Sequence, residues 1–321
     1  MIIVTGGAGF IGSCLVKKLN ENGIKDIIIV DHLGNSEKWK NLVGKKYFDY
    51  IEKSKFLSML SGDALGSLPV EAIFHFGACS DTTETDASYV MDNNYYYSKM
   101  IALFAIENNI RFIYASSAAT YGDGQKGYSD SKVQKLVPLN IYGYSKQAFD
   151  EWVEKNGLFN QFIGLKFFNI FGPNEYHKGK MASMVFKSFK QIKESGKVKL
   201  FKSNSSEYRD GEQMRDFLYV KDAIEVVWDL YRNRFHGLFN LGSGKARSWN
   251  DLANSVFAAL DLEPNIEYVD IPQELVEQYQ NFTEADMSKL KETKLNFKFN
   301  SLENNVKDYV SNHLEKRWKN F

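Results

Sequence analysis

The chain has little cysteine, no excess of charge and no long apolar run, and each absence excludes a class of protein. Cys14 and Cys79 are the only 2 cysteines among 321 residues, and their separation does not match the spacing of metal ligands. We therefore expect reduced thiols, with no disulfide and no metal site. Basic residues number 40 and acidic residues 40, so no overall field favours nucleic acid or an anionic membrane. The expected partner is a small molecule bound in a local pocket.

Membrane insertion and export are also disfavoured. No apolar run approaches the roughly 18 residues that a membrane span needs. The chain passes almost at once into an apolar strand and a glycine turn, so we expect no signal peptide. Apolar residues at 44% and charged residues at 25% are ordinary for a globular protein. We expect a cytoplasmic protein with one large domain or two.

The N-terminal residues combine a strand, a glycine turn and the start of a helix. Apolar residues 2–4 predict a buried strand, and apolar residues at helical spacing from Ile11 onward predict the helix. Between them the glycines fit two registers, G-x-G-x-x-G from Gly7 or G-x-x-G-x-x-G from Gly6. In either register the backbone can approach a pyrophosphate at the helix N-terminus, where free N–H groups favour anions. The stretch Thr5–Gly12 therefore predicts a dinucleotide site.

A second apolar run ends in an acid. It covers residues 26–31, and Asp31 lies nineteen residues beyond Gly12. A carboxylate about 20 residues after the glycine motif is typical of an acid that binds the adenosine ribose. Without the glycine turn, an exposed acid at a strand end would be the better interpretation. In this context we assign Asp31 to the cofactor.

Strands and helices alternate along the first half of the chain. In addition to the elements above, the pattern predicts strands at 70–75, 111–115 and 162–169 and helices at 86–108 and 142–153. This alternation predicts a parallel sheet covered by helices on both faces, with ligands beyond the carboxyl ends of the strands. The polar segment 123–138 is expected to be an exposed loop.

After about residue 170 the pattern is less regular. It predicts a helix at 181–195, a polar loop at 203–214, strands at 217–220, 237–242 and 266–270, helices at 221–232 and 249–260, and two C-terminal helices. We predict a Rossmann-type, doubly wound parallel α/β sheet with a smaller C-terminal α/β substrate domain. The nucleotide-binding domain is expected to span residues 1–170 with a returning segment near 216–240, and residues 171–321 to form mainly the substrate domain.

Ser117, Tyr142 and Lys146 form a candidate catalytic group. Tyr142 and Lys146 are four residues apart and share one face of a predicted helix. A free tyrosine, with a pKa of about 10, is a poor base near neutrality, but an ammonium one helical turn away favours the phenolate and lowers that pKa. A serine hydroxyl can hydrogen-bond the substrate oxygen whose proton the tyrosine takes while hydride leaves the carbon. Taken singly, Tyr142 would be interpreted as a packed helix tyrosine and Lys146 as an exposed lysine. In combination, and in a chain with a nucleotide-binding glycine turn, they indicate a site that oxidises an alcohol.

The glycine stretch Thr5–Gly12 and the pair Tyr142-x-x-x-Lys146 resemble those of the extended short-chain dehydrogenase/reductases. More narrowly, the chain resembles, nearly end to end, the family of 6-epimerases that act on ADP-heptoses. The segments that carry this closer resemblance are Phe76–Ser80, Met91–Tyr95, Tyr114–Gly122, Asn140–Lys146, Phe168–Asn169, His177–Gly179, Arg215–Phe217 and Tyr279–Thr283. Among them, the His-Lys-Gly segment is much more specific than the general dehydrogenase signature.

The resemblance implies an isomerase that inverts C6 of the heptose in ADP-D-glycero-β-D-manno-heptose, for lipopolysaccharide core biosynthesis. Bound NADP takes hydride from C6, the carbonyl intermediate presents its other face, and hydride returns there. Tyr142 and Lys178 match the two acid/base positions, Lys146 a cofactor contact that activates Tyr142, and Ser117 the partner of the substrate hydroxyl. Lys178 would need desolvation or a nearby cation to lower its pKa. The resemblance also implies a homo-oligomer, specifically a homopentamer.

The remaining contacts follow from the same resemblance, position by position. Cofactor-binding positions are Gly6, Gly9, Phe10, Ile11, Gly12, Asp31, His32, Lys38, Lys53, Phe76, Gly77, Ala78, Cys79, Ser80, Asn93, Lys146, Ile170 and Lys178. Substrate-binding positions are Asn169, Lys180, Lys187, Phe201, Lys202, Ser203, Asn204, Arg215 and Tyr279. The planar fork of Arg215 suits the ADP diphosphate.

Several positions depart from the family pattern. Phe76 stands where the family commonly has Glu, and Lys180 and Lys187 stand where it commonly has Ser and His. The polar loop after residue 203 is longer than usual and contains a second Arg-Asp pair at Arg209. We assign the diphosphate to Arg215, because the sequence that follows it matches the family.

The choice of cofactor depends on the charges near the ribose. Asp31 by itself favours NAD, because a carboxylate repels a 2′-phosphate. His32, Lys38 and Lys53 can offset that charge, and the resemblance implies NADP. We therefore predict NADP, with NAD as the alternative.

Two other functions are compatible with parts of the pattern. Another nucleotide-sugar epimerase or a 4,6-dehydratase would share the fold, but such dehydratases have an Asp-Glu pair where this chain has Ala118-Ala119. A non-catalytic dinucleotide sensor would lack the catalytic pair, whereas Tyr142 and Lys146 are both present.

Overall fold

The computed structural model describes residues 1–60, 65, 68–131, 133–276 and 279–321. The strands are β1 (Ile2–Thr5), β2 (Ile27–Asp31), β3 (Asp49–Glu52), β4 (Ala72–His75), β5 (Arg111–Ser117), β6 (Phe162–Phe167), β7 (Asn169–Phe171), β8 (Val198–Phe201), β9 (Met214–Tyr219), β10 (Gly237–Leu241), β11 (Ala246–Ser248) and β12 (Ile266–Val269). The helices are α1 (Phe10–Glu21), α2 (Lys53–Leu60), α3 (Ala87–Met91), α4 (Tyr97–Glu107), α5 (Ile141–Lys155), α6 (Met184–Ser195), α7 (Val220–Arg232), α8 (Trp249–Ala259), α9 (Gln273–Val276), α10 (Ser288–Glu292) and α11 (Leu302–Tyr309).

Seven parallel strands form the central sheet, in the order β10-β6-β5-β4-β1-β2-β3. Successive side chains of a strand point to opposite faces, so β1 places Ile2 and Val4 in one core and Ile3 in the other. Both faces are covered, as parallel sheets require. The predicted Rossmann-type doubly wound fold is confirmed. The strand order reverses between β1 and β4, which is where such sheets bind ligands.

The C-terminal half contributes to the central sheet and to smaller ones. Strand β10 pairs with β6 at the edge of the central sheet, and α7 packs against α1. Strands β7, β9 and β11 form a three-stranded sheet, and β8 pairs with β12. The division into domains at about residue 170 stays a prediction. In the part of the chain that the structure describes, no helix is long and apolar enough to cross a membrane.

The turn between β1 and α1 is closed by contacts that only glycine permits. Gly6 has a φ of +66°, and a Cβ there would lie 2.6 Å from the backbone nitrogen of Gly77 in the turn after β4. A Cβ on Gly12 would lie 2.2 Å from the carbonyl oxygen of Gly6. The Gly9 N–H donates to the same carbonyl oxygen at 2.9 Å. The register that begins at Gly6 is therefore the one that brings the two turns together.

Several local predictions differ from the structure. Strand β6 ends at Phe167, and Phe168 separates it from β7. The predicted helix 86–108 contains a π-helical turn, Asp92–Tyr96, between α3 and α4. The segment 123–138 is not wholly exposed: Asp130 is buried and its carboxylate accepts the Asn240 N–H at 2.6 Å.

Several elements were not predicted, among them β3, α2, β8 and β11, and three helices, α9, α10 and α11, stand where two were expected. The strands β3, β8 and β11 have 3 or 4 residues. The burial of β3 alternates weakly, and Ile51 is its one buried residue. Strands this short show little periodicity in sequence, so their conformation depends on pairing with a neighbouring strand.

We expect Gly12→Ala to destabilise the fold by about 3 kcal/mol, because its Cβ would overlap the Gly6 carbonyl oxygen and the turn would have to open. Urea unfolding followed by circular dichroism measures the change.

Gly196→Ala is the matched control. Gly196 ends α6 at a φ of +70°, and a Cβ there meets no atom within 4 Å. Its cost is therefore only that of a left-handed alanine, about 1 kcal/mol. Equal losses in the two variants would contradict the close packing of the glycine turn.

Candidate active site

Two adjoining clefts lie at the carboxyl ends of β1, β2 and β4. The first, of about 420 Å³, runs from the glycine turn past the Phe76–Ser80 turn to Lys178. The second, of about 680 Å³, runs from the glycine turn past Asp31 to Lys53. They share Gly6, Asp31, Lys38, Gly77, Ala78 and Cys79, so they form one continuous groove.

Most of the predicted cofactor residues line this groove, and Lys146 and Ile170 are the two that do not. The groove suits a dinucleotide on physical grounds. The N-terminus of α1 opens into it, no side chain caps that end, and no acidic residue lies in the first turn. An N-terminus of this kind offers N–H groups and positive potential to a diphosphate. The Cβ-free surface of the glycine turn lets a diphosphate come close.

Asp31 lies at the centre of the groove with its carboxylate already hydrogen-bonded. One oxygen accepts the Ala8 N–H at 2.9 Å, and the other accepts the His32 N–H at 2.7 Å and the Lys38 ammonium at 2.6 Å. The carboxylate thus ties the glycine turn to β2, and Lys38 neutralises its charge. His32 is mostly exposed and contacts Glu52 at 2.8 Å.

The far end of the groove is built around Lys53. Its ammonium donates to the side-chain oxygen of Asn93 and lies 4.6 Å from the centre of the Tyr97 ring. Burial lowers the pKa of Lys53, and the carboxylates of Asp31 and Glu52 oppose that shift. Two cations, Lys38 and Lys53, therefore lie within electrostatic range of Asp31.

The catalytic candidates Ser117, Tyr142 and Lys146 are brought together by β5 and α5. Asn140 caps α5 by accepting the Gly143 N–H at 2.8 Å, which places Tyr142 in the first helical turn. Ser117 ends β5, and its hydroxyl hydrogen-bonds the Tyr142 phenol. Lys146 follows one turn later on the same helix face.

The electrostatics of this group differ from the sequence-based expectation. Burial raises the pKa of Tyr142, and the hydrogen bond with Ser117 only partly opposes it. The Lys146 ammonium donates to the Ala115 carbonyl oxygen at 2.8 Å, and burial lowers its pKa to about 8. The net pKa shift of Tyr142 is therefore upward, opposite to the expected direction, and the ammonium is directed at a main-chain carbonyl; that Lys146 favours the phenolate during the reaction stays a prediction.

Lys178 lines the groove from the 3₁₀ turn Tyr176–Met181. Its ammonium lies 5.9 Å from the centre of the Phe10 ring, at the start of α1. Burial lowers the pKa of Lys178, and Glu175 opposes the shift. Desolvation, the condition that a basic lysine needs, is thus present. The buried Glu175 carboxylate fixes this turn by accepting from Gly172 and Ser183.

A second cluster surrounds Arg215. Its guanidinium is buried, with ring centres of Trp249 and Tyr279 at 5.5 and 5.2 Å, and Tyr279 contacts Phe201 edge-on at 6.1 Å. It donates to the carbonyl oxygens of Met214 and Gln280. Burial and stacking fix the plane of the fork, as recognition of a diphosphate requires.

The other predicted substrate residues are more scattered. Lys180 is mostly exposed and pairs with Asp81 at 3.1 Å, and Lys202 pairs with Asp270 at 2.9 Å. Lys187 is half-buried on α6, and burial lowers its pKa. Ser203 donates its N–H to Asp210, while Asn169 and Asn204 are exposed. Arg209, the alternative to Arg215, is exposed and lines a separate surface cleft.

The sequence analysis missed several residues of the groove. Ser36, Asp81, His177 and Met181 line its first part, and Glu52, Tyr89 and Tyr97 its second. Most of them belong to loops or short elements without a motif. His177 stood in the His-Lys-Gly segment, which was the available signal, and burial lowers its pKa to about 4. Within the described residues, no cluster of His, Cys, Asp or Glu could hold a metal ion.

Comparison with known proteins places this geometry in a family. Residues 2–242 match the model of the NAD dependent epimerase/dehydratase family. An ADP-L-glycero-D-manno-heptose-6-epimerase from Nitratidesulfovibrio vulgaris is 53% identical, over 98% of each chain. An enzyme of the same name from Fusobacterium nucleatum is 50% identical, also over 98% of each.

A solved structure agrees with these relatives. The crystal structure of Helicobacter pylori ADP-L-glycero-D-manno-heptose-6-epimerase has a TM-score of 0.81 and 31% identity, covering 97% of this chain and 95% of that one. The match extends over the groove, the catalytic candidates and the C-terminal half. The chain belongs to the NAD dependent epimerase/dehydratase family.

Proposed function

We propose that the protein is an epimerase that converts ADP-D-glycero-β-D-manno-heptose to ADP-L-glycero-β-D-manno-heptose by inverting C6, with a tightly bound NADP, for lipopolysaccharide core biosynthesis. The observation that carries the proposal is that two acid/base candidates on different elements lie near one nucleotide groove: Lys178 lines it, and Tyr142 interacts electrostatically with Cys79, which also lines it. The similarity to heptose epimerases over 98% of the chain supports the choice of substrate.

Inversion needs proton transfer on both faces of C6. The groove around Gly6, Asp31 and Lys38 would hold the cofactor, whose nicotinamide would supply the hydride chemistry at C6. Tyr142 handles the proton of the hydroxyl on one face and Lys178 the proton on the other. Burial raises the pKa of Tyr142 and lowers that of Lys178, so in both cases it favours the neutral form of the group. Ser117 orients the C6 oxygen toward Tyr142.

The remaining residues bind and orient. Arg215 holds the diphosphate of the ADP group, with Phe201 and Tyr279 packed beside it. Lys146 keeps a positive charge one turn from Tyr142, which favours the phenolate formed when the proton is donated. The turn that carries Lys178 lines the groove through His177, Lys178 and Met181. The homopentameric state and the cytoplasmic location remain predictions.

Incubation with ADP-D-glycero-β-D-manno-heptose, followed by NMR of the C6 configuration, tests the function. We expect conversion to the L-glycero epimer without added cofactor. Absence of inversion by folded, cofactor-loaded protein would overturn the proposal.

Tyr142→Phe and Lys178→Met should each lower kcat at least about a thousandfold, because each removes the proton transfer on one face, worth 10²–10⁴ in rate. Both variants should still release bound nucleotide on denaturation. The control is Tyr144→Phe, an exposed tyrosine on the same helix, which should keep full activity. Unchanged turnover in either active-site variant would contradict its role.

Activity should fall as the pH rises through about 8, the pKa to which burial lowers Lys146. Lys146 is charged below this pH and neutral above it, so the stabilisation of the phenolate is lost on the alkaline side. The pH profile of kcat/KM measures this limb. Lys146→Arg keeps its charge to higher pH, so its profile should lack the limb near pH 8.

NADP is favoured over NAD because Lys38 neutralises Asp31 and Lys53 adds a second cation within electrostatic range of that carboxylate. Lys38→Met should weaken NADPH binding about tenfold, equivalent to one charge contact of roughly 1.4 kcal/mol, and NADH binding much less. Lys40→Met, two residues away and paired with Glu37 on the surface, is the control. Equal losses for both cofactors would argue against NADP.

A further inference from the structure

A charged pair lies behind the candidate site and takes no part in the chemistry proposed above. Asp150 on α5 and Lys166 on β6 are both fully buried, and the Lys166 ammonium nitrogen lies 2.7 Å from a carboxylate oxygen of Asp150. Burying two charges costs several kcal/mol for each ion unless every donor and acceptor is matched. The partners of this pair therefore indicate what it holds together.

Asp150 connects α5 to β5. Its carboxylate accepts the Tyr114 hydroxyl at 2.8 Å and the Ser116 hydroxyl at 2.6 Å. Ser116 directly precedes Ser117, so the residue that neighbours the candidate serine is bound to the helix that carries Tyr142.

Lys166 connects β6 to the other side of the same serine. Its ammonium donates to the Thr120 hydroxyl at 2.6 Å, and that hydroxyl donates to the Ser117 carbonyl oxygen at 2.8 Å. The ammonium also lies 5.0 Å from the centre of the Tyr121 ring. The residues before and after Ser117 are thus both tied to the buried pair.

Asp150 occupies the helix face that carries the catalytic candidates. Tyr142, Lys146 and Asp150 follow one another at intervals of four residues in α5, which places them in one row. Asp150, the last residue of the row, is fully buried, and Tyr142, the first, is within electrostatic range of Cys79 in the groove. We call residues 116–120 the Ser117 turn. The hydrogen bonds of Asp150 with Ser116 and of Lys166 with Thr120 therefore fix the position of this turn relative to the row of side chains on α5.

We propose that Asp150 and Lys166 are positioning residues that hold the Ser117 turn in register with Tyr142 and Lys146. The inference rests on the proposed function and extends it to residues outside the groove. The Thr120 hydroxyl links Lys166 to the Ser117 carbonyl oxygen, and the Ser116 hydroxyl links the residue before Ser117 to Asp150.

The pair also acts on the charge of Lys146. The groups that face Lys146 are Asp150 and Tyr142 on its own helix, Cys79 in the turn after β4, and His75 at the end of β4. Burial lowers the pKa of Lys146, and the Asp150 carboxylate is the leading influence in the opposite direction. Burial also lowers the pKa of His75 well below its ordinary value, so His75 is neutral and adds no charge.

Thr120 offers the first test, because it can be changed without touching either charge. Thr120→Val keeps the shape and removes the hydroxyl that bridges Lys166 and Ser117, whereas Thr120→Ser keeps the hydroxyl. We expect Thr120→Val to lower kcat at least about tenfold while KM stays within about threefold, and Thr120→Ser to restore kcat, as loss of a transition-state interaction requires. Unchanged kcat in Thr120→Val, or an equal loss in Thr120→Ser, would overturn the inference.

A charge-neutral double variant, Asp150→Asn/Lys166→Gln, tests the effect on Lys146. We expect the alkaline limb of the pH profile of kcat/KM to move to lower pH by about one unit, within the range that a nearby charge produces. The control is Lys221→Gln/Asp308→Asn, which removes a Lys–Asp pair of the same 2.7 Å length that joins α7 to α11. This control should lose stability without moving the limb; equal movement in both would overturn the inference.

A measurement that does not need turnover separates this inference from the proposed function. NMR of tyrosine labelled with ¹³C at the ring ζ carbon, with Tyr142 assigned from Tyr142→Phe, reports the pKa of Tyr142. In Thr120→Val we expect this pKa to rise, because the Ser117 hydrogen bond that lowers it is loosened. An unchanged pKa would overturn the positioning role, while failure of the unmodified protein to invert C6 would overturn only the proposed function.

Discussion

The ion pair between Asp150 and Lys166 is the interaction on which the catalytic half of the structure depends. It is fully buried, and its stability requires the hydroxyls of Tyr114, Ser116 and Thr120 as partners. These partners belong to β5 and the turn after it, while the charges belong to α5 and β6. Because an unmatched charge in this interior is costly, the four segments have a single favourable arrangement. That arrangement places Ser117 against Tyr142.

The glycine turn imposes a second constraint at the reversal of strand order. Gly6 and Gly77 approach so closely that neither turn can shift without the other. The Thr5 hydroxyl reinforces this contact, since it accepts the Gly77 N–H and bonds the buried ring of His75 at 2.7 Å. A groove held this firmly is suited to a dinucleotide that stays bound through the reaction cycle. Such retention is what an epimerase needs, because the hydride must return to the same substrate.

The two acid/base candidates near this groove are carried by different kinds of element. Tyr142 lies on a long, capped helix inside the nucleotide-binding part, whereas Lys178 lies on a short turn held by the buried Glu175. Desolvation raises the pKa of an acid and lowers that of an ammonium. The same burial therefore moves the two groups in opposite directions. In both cases burial favours the neutral form of the side chain.

The sequence by itself determined the sheet architecture, the glycine turn and the identity of the catalytic candidates, because strand periodicity, glycine spacing and the Tyr142–Lys146 interval are local properties. The tertiary structure decided the glycine register, through the Gly6–Gly77 contact, and the direction of the Lys146 ammonium, through the Ala115 carbonyl. It also joined Asp150 to Lys166, which no motif had marked. Contacts between segments far apart in the chain leave no periodic pattern in it. Burial, which sets the pKa values of Tyr142 and Lys178, exists only once those segments have packed.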